Sequence, residues 1–240
     1  MNTSTIKKSL LVAVPVLLVA ALINPMSADA ATSPRHITVN AEGTVKVTPD
    51  AVRINATVSV IGTTNKLALS QVATTATAVR EALKQSGVAV KDIATQSVSA
   101  YPEYNYTNDK GAVLVGYRGS QSFVIVVRNA ANAGAVVDAV VAAGGDNLQV
   151  NGVSPFVLDA SKATESARAA AVKNAKAKAT SYAKLLGVKL GRVEYLNETS
   201  SPSITPPMYM ASAKEVSADA TVIDLGQQDV TVTIVIRWSL

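Results

Sequence analysis

Cysteine is absent from all 240 residues, which removes disulfide frameworks, thiolate nucleophiles, lipid-anchored cysteines and thiol redox centres. Histidine is nearly as scarce. His36 stands alone beside Pro34 and Arg35, so no zinc ligand set or His-Glu-x-x-His helix can be assembled. A Ser-His-Asp triad would have to draw its base from that terminal segment. There is no Gly-x-Ser-x-Gly elbow, and the only adjacent glycine pair, Gly144-Gly145, closes a helical pattern instead of opening one as a phosphate loop does. Aromatic residues make up 4% of the chain and charged residues 16%, and the charge is dispersed. A pI near 9.4 therefore comes without the clustered, aromatic-interleaved basic patch that nucleic acid requires. No cofactor, metal or nucleic-acid partner is expected from this composition.

Long apolar runs are lacking too, apart from one at the start. Lys7 and Lys8 precede the stretch from Leu10 to Ile23, which is interrupted by Pro15. That stretch is too short for about 30 Å of hydrocarbon, which takes roughly 20 apolar residues. Ala28-Asp29-Ala30 then offers small residues at alternate positions, the pattern of a cleavable export signal covering residues 1–30. The mature chain would begin at Ala31, outside the cytoplasmic membrane, with no transmembrane helix left. Removing Lys7, Lys8 and Asp29 leaves 20 basic and 16 acidic residues, a mild balance suited to a solvated surface.

What is present is a clear alternation of periods. Ile37, Val39, Ala41, Val45 and Val47 share one parity, and after Pro49-Asp50 the alternation resumes with Val52, Ile54, Ala56, Val58 and Val60, predicting two half-buried strands. From Thr64 the spacing of Ala68, Val72, Ala76, Val79 and Leu83 becomes helical, with Gly87 as its stop. Strands are expected over Ile93 to Tyr104 and Val115 to Val127, with Phe123 to Val127 apolar enough for burial on both faces. The segment Asn105 to Gly111 between them reads as a turn. A short helix over Ala130 to Ala143 and a strand over Leu148 to Leu158 complete a βαββαβ series, the split-βαβ or ferredoxin-like arrangement with two helices on one sheet face.

An alanine-rich helix follows from Ser161 to Leu186, stopped by Gly187. Its wheel sets a solvated stripe of Lys162, Lys173, Lys176 and Lys184 against an apolar side of Ala171, Ala175, Ala179, Tyr182 and Leu186. Arg168 falls amid that apolar side, so its guanidinium needs a carboxylate or several carbonyls, and its loss would be destabilising if it is buried. A strand over Val188 to Leu196, a Ser-, Pro- and Ala-rich mobile loop over 199–224, and a last alternating strand through Val230, Val232, Ile234, Ile236 and Trp238 end the chain. The fold class is α+β: a βαββαβ part over about 37–158, and a second α/β layer over 159–240 built from the long helix and the C-terminal strands.

Two groups of residues stand out as candidate sites. Tyr101, Tyr104 and Tyr106 surround an expected turn at Pro102, and Tyr117-Arg118 starts the returning strand. Tyrosine and arginine offer large contact area with polar tips and suit a contact surface. Met208 and Met210 flank Tyr209 and are the only methionines left after Met1 and Met26 depart with the signal. Such paired thioethers suit a sacrificial oxidant sink or part of a weak Cu(I) site. Carboxylates such as Glu42 and Asp50 leave open a hydrolase that uses a carboxylate pair, which would need a cleft holding two acids about 5 to 9.5 Å apart.

The run Val39-Asn40-Ala41-Glu42-Gly43 with Pro49-Asp50, then Lys91-Asp92-Ile93-Ala94-Thr95, Tyr101-Pro102-Glu103-Tyr104 and Gly116-Tyr117-Arg118, resembles the signature of the SIMPL-domain family. The likeness continues through Ala167-Arg168, Ala171, Ala175, Lys178-Ala179, Ala183 and Gly187-Val188-Lys189-Leu190-Gly191, and spans nearly all of the mature chain. Ala41 stands where members usually carry glycine, and Ile236-Arg237-Trp238 is less typical of them. The resemblance implies an exported bacterial protein associated with oxidative-stress defence or surface antigens, with relatives that form ring-like or channel-like oligomers, and it supplies no catalytic residues. The expectation is a non-enzymatic extracytoplasmic binding or assembly protein, a homo-oligomer, linked to oxidative-stress defence or envelope integrity. The alternative is an envelope hydrolase working through a carboxylate pair.

Overall fold

The computed structural model describes residues 35–108, 111–199, 203–205 and 221–240. The expected signal segment, with its cleavage point at Ala30, and the pair Met208 and Met210 lie outside the described residues.

Eleven strands and helices are described: β1 (His36–Val47), β2 (Ala51–Gly62), α1 (Asn65–Gln85), β3 (Ile93–Thr107), β4 (Gly111–Val127), α2 (Ala133–Gly144), β5 (Leu148–Phe156), α3 (Ser161–Leu185), β6 (Val193–Glu198), β7 (Ser203–Thr205) and β8 (Gln228–Ser239). They form an α+β fold with two antiparallel sheets. The larger has the order β3-β4-β2-β5, and β2 to β5 with α1 and α2 make the βαββαβ unit. The smaller has the order β1-β8-β6, with β7 also paired to β8. Its N-terminal strand meets the C-terminal one along their whole length, from His36 opposite Ser239 to Val47 opposite Gln228.

Each helix end follows from its sequence. Thr64 caps α1 by accepting the Leu67 amide at 3.2 Å, and Gly87, at φ +82°, lets the Val88 amide return to the Leu83 carbonyl. The same left-handed glycine ends α3: Gly187 sits at φ +67°, and the Val188 amide reaches the Ala183 carbonyl.

The two layers are filled differently. Under α1 and α2 the core is branched and aromatic, with Ile54, Val58, Val72, Val79, Leu83, Phe123, Ile125, Val136 and Val140. Under α3 the helix contributes Ala167, Ala171, Ala175, Ala179 and Ala183 to a core completed by Val230, Val232, Ile234, Ile236 and Trp238. Gly43 on β1 makes the approach possible, since a Cβ there would lie 2.1 Å from the Ala167 carbonyl oxygen. Gln228 ties the sheets together, donating from Nε2 to the Pro155 carbonyl at 2.7 Å.

Several expectations need correction. Phe123 to Val127 is not buried on both faces: Phe123, Ile125 and Val127 face the helices, while Val124 and Val126 are half-buried on a face that no helix covers. The segment Asn105 to Gly111 is mostly strand, because β3 runs to Thr107 and β4 resumes at Gly111. Pro102 lies inside β3 and not at a turn, and β3 as an edge strand tolerates the missing amide donor. Tyr182 and Leu186 are exposed, since the sheet takes up the strict i, i+4 alanine row in their place. The strand expected from Val188 begins at Val193. Within the span 199–224, expected as a mobile loop, a few described residues make contacts. Ser203–Thr205 pairs with β8, the Thr221 hydroxyl donates to Asp138, and Ile223 is packed against the larger sheet's core.

Candidate contact site

The β3–β4 hairpin carries the tyrosine and arginine residues singled out in the sequence. Antiparallel register puts Tyr101 opposite Arg118 and Pro102 opposite Tyr117. Opposed residues share a face, so Tyr101 and Arg118 stand together on the uncovered side of the sheet, while Tyr117 is on the helix side and half-buried. A bulge at Val115 shifts the register, after which Tyr104 faces Leu114 and Tyr106 faces Ala112 toward the hairpin tip.

Arg118 is the fixed point of this arrangement. Its Nε donates to Glu103 Oε2 at 2.9 Å and its Nη2 to Glu103 Oε1 at 3.0 Å, a fork-to-fork pair, and Nη1 donates to the Ser59 hydroxyl at 3.2 Å. These hydrogen bonds hold the Glu103 carboxyl below its usual range and raise the Arg118 guanidinium above its own, against a smaller opposing effect of desolvation. Hydroxyl pairs continue along the same face, with Ser99 and Ser120 at 2.8 Å and Thr57 and Ser122 at 3.1 Å.

The same two strands carry exposed apolar side chains that the sequence reading passed over. Val98, Val113, Leu114 and Val115 are exposed, as are Tyr101, Tyr104 and Tyr106, the last at 77%. The signal available was the unbroken apolar run Ala112 to Val115 between two glycines, inside a span read as turn and strand start. Glu103 was also missed as a partner, because its pairing depends on cross-strand register.

Asp92 is buried and receives Nε and Nη2 of Arg128, both at 2.7 Å, beside a polar depression of about 170 Å³. That hydrogen bonding lowers the Asp92 carboxyl despite its burial. Arg168 meets the carboxylate expected for it, Glu198, at 2.8 and 3.0 Å, but the pair is largely solvent-facing and not in the core. Of the carboxylates considered for hydrolysis, Glu42 is exposed on β1, and Asp50 Oδ1 accepts the Leu158 amide at 2.8 Å. Lys162, Lys173, Lys176 and Lys184 are all exposed, and so is His36 at the start of β1. Among the described residues no group of three or more His, Cys, Asp or Glu is gathered as a metal would require.

An antiparallel βαββαβ layer joined to a second sheet closed by the first and last described strands is the architecture into which these residues fall. Residues 37–238 match the SIMPL family, described as a protein of unknown function (DUF541), and the chain belongs to that family. It is 33% identical over 185 residues to the 26 kDa periplasmic immunogenic protein of Brucella melitensis biotype 1, covering 74% of this chain and 72% of that protein. To the uncharacterized protein YggE of Edwardsiella ictaluri it is 28% identical over 192 residues, covering 78% and 79%. To YggE of Escherichia coli K12 it is 29% identical over 193 residues, covering 78% and 76%.

Proposed function

We propose that this chain is an extracytoplasmic, non-catalytic assembly protein whose copies meet through the β3–β4 hairpin. The observation that carries this reading is the exposure of Tyr101, Tyr104, Tyr106, Val113, Leu114 and Val115 on one projecting edge hairpin. Register puts Tyr104, Tyr106 and Leu114 on one face of the hairpin and Tyr101 and Val113 on the other. Exposed apolar surface marks interaction sites, and an unpaired edge invites a further strand. Arg118 and Glu103 stiffen the base of the hairpin and so lower the entropy lost on association. The periplasmic name of the Brucella relative and the signal-like residues 1–30 support the location. The family resemblance supports a place in oxidative-stress defence or envelope integrity, with Met208 and Met210 as the oxidisable pair.

Light scattering on the chain starting at Ala31 tests the assembly. The expected result is an oligomer that dissociates in Tyr104→Ser/Leu114→Ser with an unchanged melting curve. A monomer mass across a wide concentration range overturns the proposal. Mass spectrometry of exported material is expected to show Ala31 at the N-terminus, and a mature protein retaining Lys7 and Lys8 would refute the export reading.

A further inference from the structure

Helix α3 rides on the smaller sheet through alanine, lying over β1 and β8 and stopping short of β6. On β6, Val193 stands opposite Trp238 and Leu196 opposite Ile236, which places both on the helix-facing side of the sheet. Both are nevertheless 53% exposed, because nothing among the described residues covers them. Between them and the α3 row Val172, Lys176 and Thr180 runs a groove of about 550 Å³, floored by Ile236 and Trp238. Its size falls inside the range of small-molecule sites, about 300 to 1,000 Å³. The Arg168–Glu198 pair, one turn before Val172 on the helix and two residues past Leu196 on the strand, links the same two walls and sets their spacing.

The charge on this groove has one sign. Lys176 is its only charged lining residue, and no carboxylate among the described residues pairs with it. Of the two acidic residues on β6, Glu198 is held by Arg168 and Glu194 is not part of the lining. A lone ammonium with the Thr180 hydroxyl one helical turn further along α3 matches a monoanion. A phosphate dianion is typically met by an arginine fork or several backbone amides, and neither lines the groove.

We infer that this groove binds a single-chain aliphatic monocarboxylate of the fatty-acid type. The chain lies against the exposed Val172, Val193 and Leu196 with the edge of Trp238 beneath it, and the carboxylate meets Lys176 Nζ beside the Thr180 hydroxyl. This site is on the opposite sheet from the hairpin and is independent of the assembly proposed above.

Trp238 is the chain's only tryptophan, so its fluorescence reports on the groove floor. Titration of the mature chain with sodium dodecanoate, below its micelle concentration, is expected to give a saturable change. Dodecyltrimethylammonium, the same chain with the opposite head, should bind at least about tenfold more weakly, and Lys176→Glu should weaken dodecanoate by a similar factor while leaving the melting curve unchanged. Val172→Phe, which narrows the groove from the helix side, should weaken both. A linear change that never saturates, equal binding of the two amphiphiles, or an unaltered Kd in Lys176→Glu overturns the inference.

Discussion

The two layers of this molecule solve the same packing task with opposite materials. Beneath α1 and α2 the helices stand off the sheet on Val, Leu and Phe side chains, and the interior is deep. Beneath α3 the helix offers only Cβ atoms and comes close enough that Gly43 touches its backbone. The first layer is therefore sensitive to what is taken away, and the second to what is added. The narrow helix of the second layer also leaves one strand uncovered, and that uncovered face is where the groove lies.

The largest effect should come from truncation in the first layer. Phe123 is fully buried beneath α1, with the Arg80 guanidinium 5.1 Å from its ring centre, and Phe123→Ala is expected to cost about 4 kcal/mol by chemical denaturation. A loss below about 1 kcal/mol would show that this layer is looser than its packing implies. Next comes addition in the second layer. Gly43→Val must drive a side chain into the Ala167 carbonyl and is expected to cost about 3 kcal/mol. Gly152→Ala on β5, where an added Cβ meets nothing within 4 Å, should stay within about 0.5 kcal/mol. Equal effects for the two glycines would erase the contrast.

A smaller, pH-dependent difference separates the layers' ion pairs. The Asp92 carboxyl is lowered by the hydrogen bond from Arg128, so its contribution is fully present above the ordinary aspartate value of 3.8 and is lost as pH falls through the lower folded value. The stability gap between the wild type and Asp92→Asn should accordingly hold steady at neutral pH and close in acid. A gap that persists after full protonation would place its origin elsewhere. Smallest of all is Arg168→Ala, which removes a largely exposed pair and is expected to leave the melting curve nearly unmoved.

Much of the fold could be read from the sequence, for identifiable reasons. Alternation in Val52 to Val60 and Val230 to Trp238 survives because each strand has one helix-covered face. Gly87 and Gly187 were legible because a left-handed residue after a helix calls for glycine. Hydrophobicity misled at Tyr182 and Leu186, where the sheet selects the smallest side chains over the most apolar. Polar residues around Asn105 hid the continuation of β3, since an exposed edge strand needs no apolar face. The tyrosines of the hairpin were visible as a cluster, but the Glu103 partner of Arg118 and the groove beside β6 depend on register and on which strands become neighbours. Neither is encoded within a single segment.

The pairing of β1 with β8 also sets an order of events. His36 and Ser239 are neighbours in space and lie at the two ends of the described chain, so the smaller sheet gains its central strand only when the last residues have been delivered. The βαββαβ unit needs nothing beyond Phe156 for its own four strands. A chain emerging from its N-terminus can thus condense one layer early, while β1 waits for a partner nearly 200 positions away, a closure of high contact order that belongs to the slow end of folding. Until those last residues arrive, β1 and β6 lack the strand that joins them.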